Sequence, residues 1–298
     1  MKRTLKLVGM YYLLQLICVL PISVFMNVKS MIQNEGVLNI AEAETAVYNS
    51  HVATGAAMVL SGIIMIWYLI HFKYIKFNLQ SFKEVPAKTI WLSIPLILGA
   101  MTFFNICSEI IDLPNWMEDE FVGMSRNVLG AISIAIMAPL VEELLFRGAI
   151  EGHLLKQGKS PVAAILISSL IFGIVHINPA QVPFAFAIGA VFGWLYYRTG
   201  SVVPGIIGHF INNSIATIQM MVLSKEELNT KTVDMIGEGP TYALFAASLI
   251  LMVGSIHYMR KHLPAAPDYT ATPCHPEQSE DVLLGKSEKP ENINEVEK

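Results

Sequence analysis

Eight apolar runs, parted by short charged stretches, confine this chain to one broad class of fold. They are Leu7–Val28, Val52–Phe72, Thr89–Ser108, Asn127–Gly148, Pro161–Ile177, Pro183–Tyr197, Val202–Leu223 and Thr241–Tyr258. Inside a bilayer no water satisfies the backbone, so segments of this kind form helices, which bond their own amides and carbonyls. The sequence is 53% hydrophobic and only 15% charged, whereas about a quarter of a soluble domain is charged. The expectation is an all-α, polytopic membrane protein of eight transmembrane helices with any active site inside the bundle. Several runs fall short of the roughly 20 residues of a perpendicular span, and the sixth is the weakest. The first follows Lys2, Arg3 and Lys6 and reaches Val28 with no small-x-small cleavage site. It reads as an uncleaved span and not as a signal peptide.

With eight spans the basic loops all fall on one side. Lys2, Arg3 and Lys6, then Lys73, Lys76, Lys83 and Lys88, then Arg147, Lys156 and Lys159, then Arg198, and finally Arg260 and Lys261 alternate with acidic loops. Those carry Glu35, Glu42 and Glu44, then Glu109, Asp112, Glu118, Asp119 and Glu120, then Glu226, Glu227, Asp234 and Glu238. The positive-inside rule then puts both termini in the cytoplasm, with the chain in the plasma membrane if the source is bacterial. From Pro264 the composition turns to Pro, Glu, Lys, Ser and Asn, the signature of a disordered tail over 264–298. No basic surface for nucleic acid stands out. Cys18, Cys107 and Cys274 have neither metal nor disulfide spacing.

The polar residues that interrupt these runs carry the chemistry. Glu142 and Glu143 sit together in the fourth run, five and four residues before Arg147. An ionisable group near the bilayer centre costs roughly 2.5–3.5 kcal/mol on insertion scales and is functional by default. Glu143 and Arg147 share a helix face in the favourable acid-first order, which reads as a structural ion pair. Glu142 is turned about 100° away. It is either a functional carboxylate or a protonated one bonded to a neighbouring helix. Phe172 and His176 share a face of the fifth run, and His209 and Asn213 share one of the seventh.

The fourth run continues as a helix through Glu151, His153 and Lys156 to a turn at Gly158-Lys-Ser-Pro161. Glu142 and His176 stand about equally far from that turn, so an antiparallel hairpin sets them at one depth. The spacing predicts a carboxylate beside an imidazole. His176 also lies close to the loop Asn178-Pro-Ala-Gln-Val182, so either that loop re-enters the membrane or the flanking spans are short and tilted. Such a pair can hold and deprotonate a water. His209 and Asn213 can donate to an oxyanion, or Asn213 can serve as interhelical glue. Glu142, His176 and His209 can alternatively hold zinc, as two histidines and a carboxylate do in known hydrolases. Gly173, Gly189, Gly193, Gly205 and Gly208 cluster in the same half and allow close helix approach.

Glu142-Glu143-Leu-Leu-Phe-Arg147, Phe172-Gly-Ile-Val-His176 and His209-Phe-Ile-Asn-Asn213 resemble the three motifs of the intramembrane CAAX-protease and bacteriocin-processing family. That family includes the type II prenyl-protein endopeptidase and bacterial self-immunity proteins. The resemblance covers about 127–223, which would be the catalytic core. Residues 1–126 would be N-terminal helices and loops, and 224–263 a last loop and helix. The resemblance implies an endopeptidase acting on membrane-associated proteins or peptides, CAAX-type or leader-type, lipidated or not. It gives Glu142 and His176 the water-activating role, His209 and Asn213 the oxyanion or water, and Glu143, Arg147 and Phe172 a supporting one. Asn213 is a poor zinc ligand, which favours a site requiring no cofactor, with zinc as the alternative. The rival reading is a non-catalytic immunity or binding protein, or an ion carrier with a buried polar cluster.

Overall fold

The computed structural model describes residues 2–33, 40–75 and 85–270. Lys76, Lys83, Glu35, Cys274 and the tail from 271 onward lie outside these residues. Among the described residues the chain is helical, with no strand. In chain order the helices are α1 (Lys2–Gln33), α2 (Ile40–His71), α3 (Ala87–Ile111), α4 (Glu118–Ser125), α5 (Val128–Lys156), α6 (Pro161–Ile174), α7 (Val182–Thr199), α8 (Val203–Val222), α9 (Lys225–Asn229), α10 (Thr232–Ile236) and α11 (Glu238–His262).

Each of the eight apolar runs falls on a helix, with at most three residues beyond its ends. Length and composition suffice for a crossing in five of them: α1, α2, α3, α5 and α11. The hydropathy of α8 is diluted by His209, Asn212, Asn213 and Gln219. α6 has only 14 residues, about 21 Å at 1.5 Å per residue. The loop after α6 folds inward: the buried Asn178 donates to Asn115 Oδ1 at 2.7 Å and accepts from the Trp116 amide at 3.0 Å. The first of the two spans that flank this loop is thus short, as one of the two readings of the depth of His176 expects, and the loop itself is packed into the protein, as the other expects.

Local signals set the boundaries. Asn127 caps α5 by accepting from the Gly130 amide at 2.8 Å. Ser160 accepts from Ala163 N with Pro161 in the first turn, so the expected hairpin between α5 and α6 forms where the sequence places it. Gly158, at φ 75°, makes the turn.

α5 is the hub. It packs on α2 and α4, on α6 and α7, against α8 along Ser133–Met137, and against α1 through Glu143–Glu151. α3 and α11 form a separate pair laid against α7 and α8. Outward faces are apolar, with Trp91, Val128 and Ile250 exposed, while Glu143, Arg147, Glu151 and His209 are buried. That inversion of the soluble pattern suits a lipid surround. The first residues of the segment read as a tail, 264–270, pack on α7. The Tyr269 hydroxyl donates to the Tyr196 and Tyr197 carbonyls at 2.8 and 3.1 Å, and burial raises its pKa above the ordinary tyrosine range.

Candidate active site

Two stretches of α5, Ser133–Met137 and Glu143–Glu151, are wound as π-helix. Such widened turns cost backbone regularity and concentrate at functional sites. The first has a visible cause. Ala138 N bonds Ser133 O in the i−5 register. The next bond in that register would join residue 139 to Ile134 O, and Pro139 has no amide hydrogen. Asn213 supplies it instead, its side-chain amide donating to Ile134 O at 2.9 Å. Its Oδ1 accepts from Asn212 at 3.1 Å. The donor expected at the oxyanion thus ties α8 to α5.

His209 is the residue that gathers the carboxylates. Its Nδ1 is 3.1 Å from Glu143 Oε1 and its Nε2 is 3.8 Å from Glu142 Oε2. Arg147 Nη1 donates to the same Glu143 Oε1 at 2.9 Å, and its Nη2 donates to the Gly189 carbonyl at 2.9 Å. Glu143 and Arg147 are both fully buried, so the expected ion pair exists and does more than neutralise charge: it also holds the histidine. A neutral His209 donating from Nδ1 to Glu143 presents a lone pair at Nε2 toward Glu142. Glu142 keeps 13% exposure, and its Oε1 accepts from the Tyr11 hydroxyl of α1 at 3.2 Å.

His176 stands just past the end of α6. Its Nδ1 donates to the Phe172 carbonyl at 2.7 Å, which fixes the tautomer and leaves Nε2 open. The predicted contact between Glu142 and His176 does not form among the described residues; His209 is the imidazole that Glu142 faces. The hairpin does set the two at one height, because the consecutive Tyr11 and Tyr12 of α1 reach Glu142 and the Val175 carbonyl. Between the imidazoles lies Phe172. Its ring meets His176 and His209 edge-on, at centroid distances of 4.8 and 5.7 Å, and the Arg147 guanidinium at 4.3 Å. Glu142, His176 and His209 do not converge on one point, and among the described residues no three His, Cys, Asp or Glu side chains form a metal shell. The donor set does not fit zinc in this arrangement.

Several members were missed at the level of sequence. Phe192 stacks on His209 at 5.6 Å and 26°. Glu151, which the sequence places only on the helical continuation of the fourth run, is fully buried with neither carboxylate oxygen hydrogen-bonded among the described residues. It continues the row Glu143, Arg147, Glu151 along α5, and each of the three is faced by a glycine. A Cβ on Gly205 would stand 2.7 Å from Glu143 Oε2, on Gly189 2.9 Å from Arg147 Nη2, and on Gly193 2.6 Å from Glu151 Oε2. The glycines do more than bring helices together: they make room for charge.

Residues 124–215 match the family described as type II CAAX prenyl endopeptidase Rce1-like. The chain is 33% identical over 101 residues to YdiL of Bacillus subtilis strain 168, whose name carries the words membrane peptidase; the match covers 34% of this chain and 41% of that protein. It is 34% identical over 104 residues to the membrane-embedded CAAX protease MroQ of Staphylococcus aureus strain USA300, covering 33% and 42%. The chain therefore spans about two-fifths of the length of these curated relatives. No solved structure matches significantly. The matched segment holds Glu142, Glu143, Arg147, Phe172, His176, His209 and Asn213, and over it the chain is similar to the CAAX-protease and bacteriocin-processing family.

Proposed function

We propose that this protein is an intramembrane endopeptidase that hydrolyses a peptide bond of a membrane-associated protein or peptide, of CAAX type or leader type, with or without a lipid group. The observation that carries this reading is the facing pair Glu142 Oε2 and His209 Nε2, 3.8 Å apart. That gap exceeds a hydrogen bond, and a water bonded to both groups fits across it. Glu142 is the general base, and the lone pair of His209 steadies the same water. The hydroxide attacks the carbonyl carbon, and Glu142 returns the proton to the leaving amine. Glu143 and Arg147 keep His209 in the required tautomer, in the manner of the third member of a hydrolytic triad. Phe172 and Phe192 wall the imidazole and exclude bulk water. The donor geometry supports chemistry without a metal.

We place both termini on the cytoplasmic side of a plasma membrane, supported by the basic loops that all fall there, and the substrate reaches the site from the lipid phase or its surface. The test compares membranes from cells carrying the wild type and Glu142→Gln. A defined peptide accumulates uncut in the variant and its cleaved form disappears. Identical peptide profiles would argue for a binding protein instead.

A further inference from the structure

α1 lies outside the residues that match the CAAX-protease family, yet it puts a hydroxyl on the central carboxylate. Tyr11 Oη donates to Glu142 Oε1 at 3.2 Å and the residue is only 9% exposed. The adjacent Tyr12 hydroxyl donates to the carbonyl of Val175, the residue before His176. Neighbours on a helix point about 100° apart. Two consecutive tyrosines therefore straddle the α5–α6 pair, one on each helix, and hold Tyr11 in register with Glu142. A narrow cleft lined by Tyr11, Gln15, Met58, Ser133, Met137 and Val141 opens beside it between α1, α2 and α5.

Attack on a peptide carbonyl needs a donor where negative charge develops on its oxygen. The side chains expected to supply one are tethered to other groups: the Asn213 amide gives one of its hydrogens to Ile134 O, and Arg147 donates from its two terminal nitrogens to Glu143 and Gly189. With His209 Nδ1 on Glu143, its other nitrogen is an acceptor. The hydroxyl in contact with Glu142 is that of Tyr11. Resting on the hydrolytic reading above, we propose that Tyr11 is a catalytic residue that donates to the oxyanion of the scissile carbonyl.

Glu142 takes one proton from water, the new hydroxide bonds the carbonyl carbon, and the C=O pair moves onto oxygen. The Tyr11 hydroxyl swings its hydrogen bond from Glu142 Oε1 to that oxygen and keeps its own proton. As the C–N bond breaks, its pair goes to nitrogen, which receives the proton held by Glu142. The carbonyl reforms, and Tyr11 returns to Glu142.

The experiment uses the full chain in liposomes, with a quenched-fluorescent reporter built on the peptide that accumulates with Glu142→Gln. Tyr11→Phe removes only the hydroxyl. Its kcat should fall by roughly 10²–10³-fold, the usual cost of one oxyanion donor, with KM and thermal midpoint unchanged. Tyr242→Phe, on the exposed face of α11, should leave kcat unchanged. Ring-fluorinated tyrosines at position 11 should give a kcat that tracks hydroxyl acidity, a response that packing alone would not produce. Wild-type kcat in Tyr11→Phe, a flat fluorotyrosine series, or a rate loss matched by loss of folded protein overturns the role of Tyr11 while leaving the hydrolase standing. Full activity in Glu142→Gln overturns both.

Discussion

Asn213 donates its side-chain amide to the carbonyl of Ile134, the carbonyl left without an amide partner where π-winding meets Pro139. This bond ties α8, which carries His209, to α5, which carries Glu142. Asn213→Ala strands a buried carbonyl and should cost about 1–3 kcal/mol of stability. Restoring an amide with Pro139→Ala should shrink that cost, because residue 139 can then serve Ile134. Thermal unfolding in detergent of the two single variants and the double variant measures the coupling. Strict additivity would show that the two do not share this carbonyl.

The buried charges of α5 are not equivalent. Arg147 neutralises Glu143 and braces Gly189, so Arg147→Met leaves an unpaired buried carboxylate and should destabilise by about 3–5 kcal/mol. Glu151 has no hydrogen bond to lose among the described residues, so Glu151→Met should be neutral or stabilising. Chemical denaturation midpoints of the two variants should move in clearly different degrees, and equal losses would refute the distinction.

Glycines facing charge should respond to a methyl group, and exposed glycines should not. A Cβ at Gly205 meets Glu143 Oε2 at 2.7 Å, whereas one at Gly254 meets nothing within 4 Å. Gly205→Ala should displace the carboxylate that orients His209 and lower turnover at least tenfold. Gly254→Ala should leave turnover unchanged. The reporter assay on matched amounts of folded protein checks both.

Much of this site was legible in the sequence. Charges inside apolar runs are costly, so Glu142, Glu143 and Arg147 announced themselves, and the Ser160-Pro161 start placed the α5–α6 hairpin. The i, i+4 spacing gave the Glu143–Arg147 pair. The pairing of imidazoles did not follow, because hairpin counting fixes depth but not rotation. The π-wound turns on either side of Ala138–Glu142 alter the 100° step on which face counting relies, and it is His209 that stands by Glu142. Asn213 admitted two readings from its position, and its bond to Ile134 O, which uses one amide hydrogen, is an interhelical tie that spacing alone does not reveal. Tyr11 and Tyr12 are amphipathic residues in an ordinary-looking span, and nothing in their spacing points to α5. Glu151 lies beyond the apolar run, where nothing in the spacing signals burial, yet α7 covers it through Gly193.

Because Glu142, His176 and His209 do not meet at one point, activity should survive thorough chelation. Turnover by protein shown metal-free by elemental analysis should equal that of untreated protein. Loss of activity that zinc alone restores would require a rearranged site.

The central claim is that Glu142 activates the hydrolytic water. It is tested most directly by the turnover of purified Glu142→Gln in liposomes, beside wild type of equal fold and thermal midpoint. Loss of the general base should lower kcat by at least about 10²-fold, with the substrate still bound. Wild-type turnover by folded Glu142→Gln would contradict the account.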